Sequence, residues 1–379
     1  MKLYFKYGKI KLGILLSFLL SFSFIYMPYV NQTYYYYYFN VLVRIIVTWY
    51  IFMNFKWIQK SKLKIGCYIY IVYGTIIIIS NIVNGTLEQI VIVNVLLNTI
   101  IFPFFIIQHG KGNLYSALKA FVFSFIVQII INDFLMIVFG NVFTGDGISN
   151  TFWLGNKFNV GYAHLLCLIF FYILKNQTKF FNIKVAILTA YTLIVSIYVN
   201  CDTVIIANVL LIVLLMFRKK TEAFMSNKIA VLIFMLLCAL ILVFSDVATS
   251  GIISNFMKSV FSDDGTMTGR LPIYTVLPII IMQKFVWGYG YNNLVVYHAT
   301  RAYNAQNGML EIVVNYGILA AVCFGIIILY SCKKGKTFEH YVLLSVVWIF
   351  IFLSSIEVTY GIQMILYMSL LAVLSQDTK

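Results

Sequence analysis

Charge is what this sequence has least of. Of 379 residues only 10% are Asp, Glu, Lys or Arg, against about a quarter in soluble domains, while 62% are hydrophobic and the mean hydropathy is +0.94. So little charge cannot cover a water-facing surface, which excludes a soluble fold and leads to an all-α, polytopic bundle of transmembrane helices. Acidic residues are the scarcer kind, 12 against 27 Lys and Arg. In a soluble protein the net charge of +15 would suggest a polyanion; here it is read against the membrane first, and nucleic acid is not the expected partner. Metal-type pair spacing is missing among Cys67, Cys167, Cys201, Cys238, Cys323 and Cys332, which fall mostly inside apolar runs. They read as small core residues, with no metal site. No A-x-A-like cleavage site follows the basic and apolar N-terminus, so it is expected to remain as a first span. Nor is there an internal repeat, which counts against transporter folds built from paired halves.

What is present is a series of apolar runs of roughly 15 to 24 residues, near the length that crosses hydrocarbon. They fall at 12–29, 35–55, 65–83, 89–108, 117–139, 159–174, 185–200, 203–217, 229–244, 308–330, 341–356 and 360–374. The expectation is one integral membrane domain, residues 1–379, of about twelve spans, with one large loop at 246–307 between the ninth and tenth. Lys and Arg in short loops stay on the cytoplasmic side. With the N-terminus inside, most of the 27 fall there; the exceptions are Arg44, Lys157, Lys258, Arg270, Lys284 and Arg301. Both termini are then cytoplasmic, the long loop is extracytoplasmic, and the chain is a multi-pass protein of the cell (plasma) membrane. Five tyrosines, Tyr34 to Tyr38, fit an interfacial belt.

A charge at membrane depth is costly and usually faces a cavity, a partner or a substrate. Arg44 lies near the middle of the second run, and Asp133, His164 and Asp202 lie toward the outer half. Either Arg44 and Asp133 form a structural bridge and His164 bonds a backbone carbonyl, or these groups line an outward cavity that holds an anionic head group.

The long loop is the chief polar interruption, and long loops in compact bundles are usually functional. Its first part, GIISNFMKSVF, reads as an amphipathic interfacial helix. Pro272 suits the first turn of a helix, which places Arg270 beside free backbone amides. Arginine grips phosphate oxygens bidentately and stays protonated. In Trp287-Gly288-Tyr289-Gly290 the glycines permit a tight turn or a close approach to a ligand. Asn307 and Glu311, opening the next span, either cap it or contact sugar hydroxyls.

Thr268-Gly269-Arg270, then Gly288-Tyr289-Gly290, then AQNGMLEIVVNYG from Ala305 resemble the O-antigen ligase and polymerase superfamily, Wzy-type polysaccharide polymerases in particular. GNKFNVGYAHLL, from Gly155, is similar to a segment of Gram-positive capsule polymerases of that group. The resemblance implies a glycosyltransferase without metal or other cofactor. It would transfer a glycan from an undecaprenyl-pyrophosphate carrier at the outer leaflet, in company with membrane lipid and with a flippase or chain-length regulator. Arg270 then matches the family's loop arginine, and Arg44 is a second phosphate contact by chemistry alone. Gly288, Tyr289, Gly290, Arg301, Gln306, Asn307 and His164 are substrate-binding candidates. The family usually has histidine directly before this asparagine, and here Gln306 stands there; glutamine cannot take a proton, so the general base is left among His298, His164 and Glu311. A polymerase of lipid-linked repeat units leads. A ligase moving a finished glycan, a lipid-linked oligosaccharide flippase, and a non-catalytic assembly partner are the alternatives.

Overall fold

A computed structural model of the protein describes residues 12–22, 34–56, 63–88, 91–92, 95–140, 143–144, 150–175, 183–240 and 271–375. The helices among them are α1 (Leu12–Phe22), α2 (Tyr34–Met53), α3 (Lys64–Val83), α4 (Phe102–Phe139), α5 (Lys157–Lys175), α6 (Ile183–Tyr198) and α7 (Asp202–Met216). They continue with α8 (Arg218–Met225), α9 (Lys228–Leu240), α10 (Leu271–Gln283), α11 (Val295–Thr300), α12 (Gly308–Ser331), α13 (Phe338–Leu353) and α14 (Ile362–Leu374). A π-helical turn, Leu96–Ile101, leads into α4. Two-residue strands β1 (Phe143–Thr144) and β2 (Asn150–Thr151) pair antiparallel.

Among the described residues four segments are long and apolar enough to cross a membrane: Lys64–Val83, Leu114–Phe139, Lys157–Leu174 and Gly308–Ser331. The pair α8 and α9, bent by 85°, is a fifth if it counts as one broken span, and several other helices are apolar but shorter. Most of the expected runs therefore reappear as apolar helices. The fourth and fifth do not separate as expected, because α4 is one helix of 38 residues running through the polar 108–113. Pro103 falls in its first turn, where proline is tolerated, and the glycines at 110 and 112 each cost a helix only about 1 kcal/mol. At 1.5 Å per residue α4 is about 57 Å long, well beyond a hydrocarbon core of about 30 Å.

The stretch expected to be a polar loop from 246 to 307 also carries helices. The amphipathic segment at 251–261 lies outside the described residues. From Leu271, beside Pro272 as the sequence suggested, α10 buries Ile273, Tyr274, Leu277 and Ile280 along one face, packed with Val296, Ala305, Leu310 and Val314. Helical spacing of those four residues outweighs the surrounding polarity.

The chain forms two compact units, the first made of Met1–Ser61, Phe104–Arg218 and Lys336–Leu343, the second of Lys62–Pro103, Lys219–Gly335 and Leu344–Lys379. In the first, α5 packs on α6 and α7. Phe121 stacks on Phe125 at 5.0 Å and meets Phe170 edge-on at 5.8 Å. Between α6 and α7 the chain turns at Asn200, whose φ is +53°, and Cys201 N–H donates to Ser196 O at 2.8 Å.

In the second unit α12 is the hub, packed on α3, α9, α10 and α14. Small residues let α3 approach its neighbours: Gly66 faces the Tyr330 ring and Gly74 faces Thr99. The helix breaks at Gly317, whose φ of 80° and ψ of 176° belong to a region open to glycine alone. The break frees backbone groups, and residues 285–290 take them up. Tyr289 N–H donates to Val314 O at 2.8 Å, Gly290 N–H to Asn315 O at 2.7 Å, and Ile318 N–H to Phe285 O at 2.9 Å. A Cβ at Gly317 would collide with the Val286 backbone, and one at Gly288 with Val314 and Asn315.

Gly317→Ala therefore favours straightening α12 and expelling this segment. The backbone conformation alone costs roughly 1–3 kcal/mol in a residue with a Cβ. Heating the purified protein in detergent and following the folded peak by size exclusion should show a clear loss of stability. Gly361→Ala, where an added Cβ meets open space, should leave the peak unchanged.

Candidate active site

The seam at Gly317 fixes a polar cluster at the head of α12. Two residues of α3 hold its near side. Ser80 Oγ–H donates to Trp287 O, while Asn81 Oδ1 accepts from Tyr291 N–H at 2.7 Å and from Thr86 Oγ1 at 2.9 Å. A Cβ on Gly290 would strike Thr86. The two glycines of the Gly288-Tyr289-Gly290 turn are thus required by backbone packing against α12 and by Thr86. Tyr289 folds back on α10, its hydroxyl lying 3.0 Å from Ile280 O and 2.9 Å from Gln283 Oε1, with the Lys284 ammonium 5.1 Å above its ring.

From this turn a chain of amides runs to Glu311. Asn293 Nδ2 donates to Gly290 O and to Asn315 Oδ1, each at 2.7 Å; Asn315 Nδ2 donates to Glu311 Oε1 at 2.8 Å; and Ala305 N–H donates to Glu311 Oε2 at 2.8 Å. A carboxylate can only accept, so the Asn315 nitrogen must face it and the Asn315 oxygen must face Asn293. The carboxylate orients the chain and pins the turn before α12. Each of its oxygens keeps a lone pair for a further donor.

Within that turn Gln306 has a φ of +50°, its carbonyl accepts from Tyr274 OH at 2.8 Å, and its Nε2 donates to Asn304 Oδ1 at 2.8 Å. Asn307, fully buried, is the N-cap of α12: its Oδ1 accepts from Met309 N–H and Leu310 N–H, both at 3.1 Å. Its Nδ2 donates to Cys238 O at 3.1 Å, with Ala239 O and Ser355 O at 3.4 Å. One side chain thus satisfies the orphan donors at one helix start and carbonyls at the ends of α9 and just beyond α13. Of the two roles open in the sequence, capping is the one its atoms perform. His298 and Arg301 are exposed, on α11 and at its left-handed C-cap. Arg270 lies outside the described residues.

In the other unit, His164 is buried, with Nδ1 2.8 Å from Val160 O and Nε2 3.1 Å from Asp133 Oδ2. Tyr191 OH donates to the same Asp133 oxygen, and Asn132 Nδ2 donates to Asp133 Oδ1 at 3.0 Å. Of the structural alternative, one half holds and one is altered: His164 bonds a backbone carbonyl as expected, but Asp133 bridges to His164 rather than to Arg44. Arg44 is half-buried in α2, and its carbonyl accepts from Thr48 Oγ1 at 2.7 Å. Among the described residues no three metal-type ligands gather in one place.

Residues 185–325 match the model of a family described as O-antigen ligase. That part of the chain is similar to the O-antigen ligase family, which supports the O-antigen ligase and polymerase superfamily. Comparison with curated proteins and with solved structures gave no match. The match supports a membrane enzyme of the O-antigen ligase and polymerase type, whose family acts on lipid-linked glycans. The O-antigen ligase match runs from α6 through the break in α12. It takes in Arg270, the glycine turn, His298, Arg301, Gln306, Asn307 and Glu311, and leaves Arg44, Asp133 and His164 outside.

Sequence reasoning missed Asn315, Asn293, Ser80 and Asn81 in the polar cluster at the head of α12. The signal was there for Asn81 and Asn315, since an amide inside an apolar span must find a partner.

Asn307→Ala removes the cap and strands the carbonyls that its amide reaches. Loss of an N-cap costs about 1 kcal/mol and each buried carbonyl left unmet roughly 1–3 kcal/mol. Asn307→Ser, which keeps a capping oxygen and loses the long amide, should fall between Asn307→Ala and the unmodified protein in the same heating assay.

Proposed function

We propose that the chain is a polysaccharide polymerase that joins lipid-linked oligosaccharide repeat units at the outer leaflet into a capsular or exopolysaccharide chain. The observation that carries this reading is the O-antigen ligase match over 185–325, within which every candidate of the 270–311 region falls. In the proposed reaction a hydroxyl of one glycan attacks the anomeric carbon of another. The bond from that carbon to the carrier pyrophosphate breaks, the carrier pyrophosphate leaves with the bonding pair, and the hydroxyl proton passes to a base.

Each residue has a task in this scheme. Charge grows on the departing pyrophosphate, where Arg270 supplies two fixed donors and a permanent positive charge. Gln306 stands where the family usually has histidine and can orient a hydroxyl, but it cannot accept its proton. The base is then Glu311, whose oxygens retain accepting capacity beside the Gln306 turn, or His298, exposed on α11. A ligase moving a finished glycan to a different acceptor is the second reading, since the family match carries that description.

The lipid-linked glycans of cells carrying Arg270→Ala, compared with unmodified and deletion strains, test this directly. Loss of long polymer with accumulation of single repeat units on the carrier is expected. Polymer of normal length retained on its lipid would favour the ligase, and an unchanged profile would remove Arg270 from the site. Glu311→Gln and His298→Gln separate the bases. The true base should lose about 10²- to 10⁴-fold in turnover with little change in the donor concentration needed for half-maximal rate. His298→Gln should change turnover little if Glu311 is the base; if His298 is the base, Glu311→Gln should lower thermal stability, because its amide meets a donor at Ala305 or Asn315, and lower turnover by less than His298→Gln does.

A further inference from the structure

Around α11 lies a group of side chains that neither the capping of α12 nor the amide chain uses. The Tyr297 and Tyr303 rings stack, centroids 4.9 Å apart and planes inclined by 24°. Tyr303 is 73% exposed, so its far face is open to solvent. The Arg301 guanidinium carbon lies 5.7 Å from the centre of the Tyr297 ring, and the His298 ring lies 6.1 Å from it. Both of these polar groups are exposed.

The backbone holds this group in place. Arg301 has a φ of 64°, uncommon for a residue with a Cβ, and its N–H closes α11 by donating to Tyr297 O at 2.8 Å. Thr300 Oγ1 donates to Val296 O at 2.8 Å and accepts from Ala302 N–H at 3.2 Å. Strained residues of this kind persist where the surroundings over-determine them, and they concentrate at ligand clamps. Gln306, five residues on, has a φ of +50°.

We infer that Tyr303, backed by the Tyr297 ring that Arg301 and His298 approach, is a saccharide-stacking subsite. A pyranose ring has an apolar face of C–H bonds and a rim of hydroxyls. The C–H face carries slight positive charge and fits the negative face of an aromatic ring. The guanidinium and imidazole around Tyr297 are exposed protic groups of the kind that bond such a rim. A tyrosine that only anchored the protein in the head-group region would not need a second ring stacked behind it with two protic groups around that ring. The ligand is a sugar unit of the glycan undergoing transfer, so the subsite rests on the enzymatic reading above. It adds Tyr297 and Tyr303 to the residues that select the glycan.

The test uses full-length protein in detergent. The probe is the saccharide released by mild acid from the lipid-linked fraction that accumulates in the deletion strain. Tyr303→Ala should weaken its binding about fivefold, the scale of a lost aromatic contact, and Tyr303→Phe should stay within about twofold because the ring face is kept. Equal binding by Tyr303→Ala and unmodified protein, or no binding by unmodified protein, overturns the subsite. A Tyr303→Ala protein that binds saccharide normally but partitions less into anionic lipid vesicles assigns the ring to the membrane interface instead. If the deletion strain accumulates no lipid-linked saccharide, the polymerase reading fails and the subsite with it. If saccharide accumulates and Tyr303→Ala still binds normally, the subsite alone fails.

Discussion

The second unit depends on a break in a helix. At Gly317 the ladder of α12 is interrupted, and Tyr289, Gly290 and Phe285 supply the partners that the next turn would have given. In hydrocarbon an unmet backbone group is costly enough that non-helical backbone survives only where protein covers it. Here Val314 O, Asn315 O and Ile318 N–H are answered by other backbone groups. That exchange, joined by the buried side chains of Ser80 and Asn81, docks a non-helical segment against a span. The amide chain from Asn293 through Asn315 to Glu311 starts beside it, because Asn315 stands at the break and presents its side chain to the turn that its carbonyl already holds.

Asn307 complements the seam from the other end of the same turn. Between them, the segment 301–306 is fixed by Glu311 accepting from Ala305, by Tyr274 donating to Gln306, and by the cap itself. Residues that a sequence reader nominates for binding are here largely structural in their contacts. The two glycines of the turn permit close backbone approach, and Asn307 joins helix ends. The groups still directed outward are those on α11 and just after it.

Much of the fold was legible in the sequence because a span is a local property. Apolar length alone locates α3, α5, α12 and most of the shorter helices, and Pro272 marks the start of α10. What could not be read was how backbone groups pair over distance. A glycine within an apolar run usually means close helix packing, as at Gly66 and Gly74, and nothing in the local pattern distinguishes Gly317 from these. The polar 108–113 looks like a loop, yet helix continues through it because no residue there forbids it. In the site, the costly groups Asp133 and His164 were visible as such, but their choice of each other is a matter of three-dimensional distance. The asparagines of the amide chain went unnoticed because amides carry no charge.

The seam has one further consequence, for variation. Its bonds run from main chain to main chain, so apart from the glycines its register is indifferent to which side chains the segment bears. Residues on the outward side of 291–304 can change while the hold on α12 stays the same. Under the proposed function, an architecture of this kind lets that outward surface drift toward new sugars without disturbing the frame beneath it.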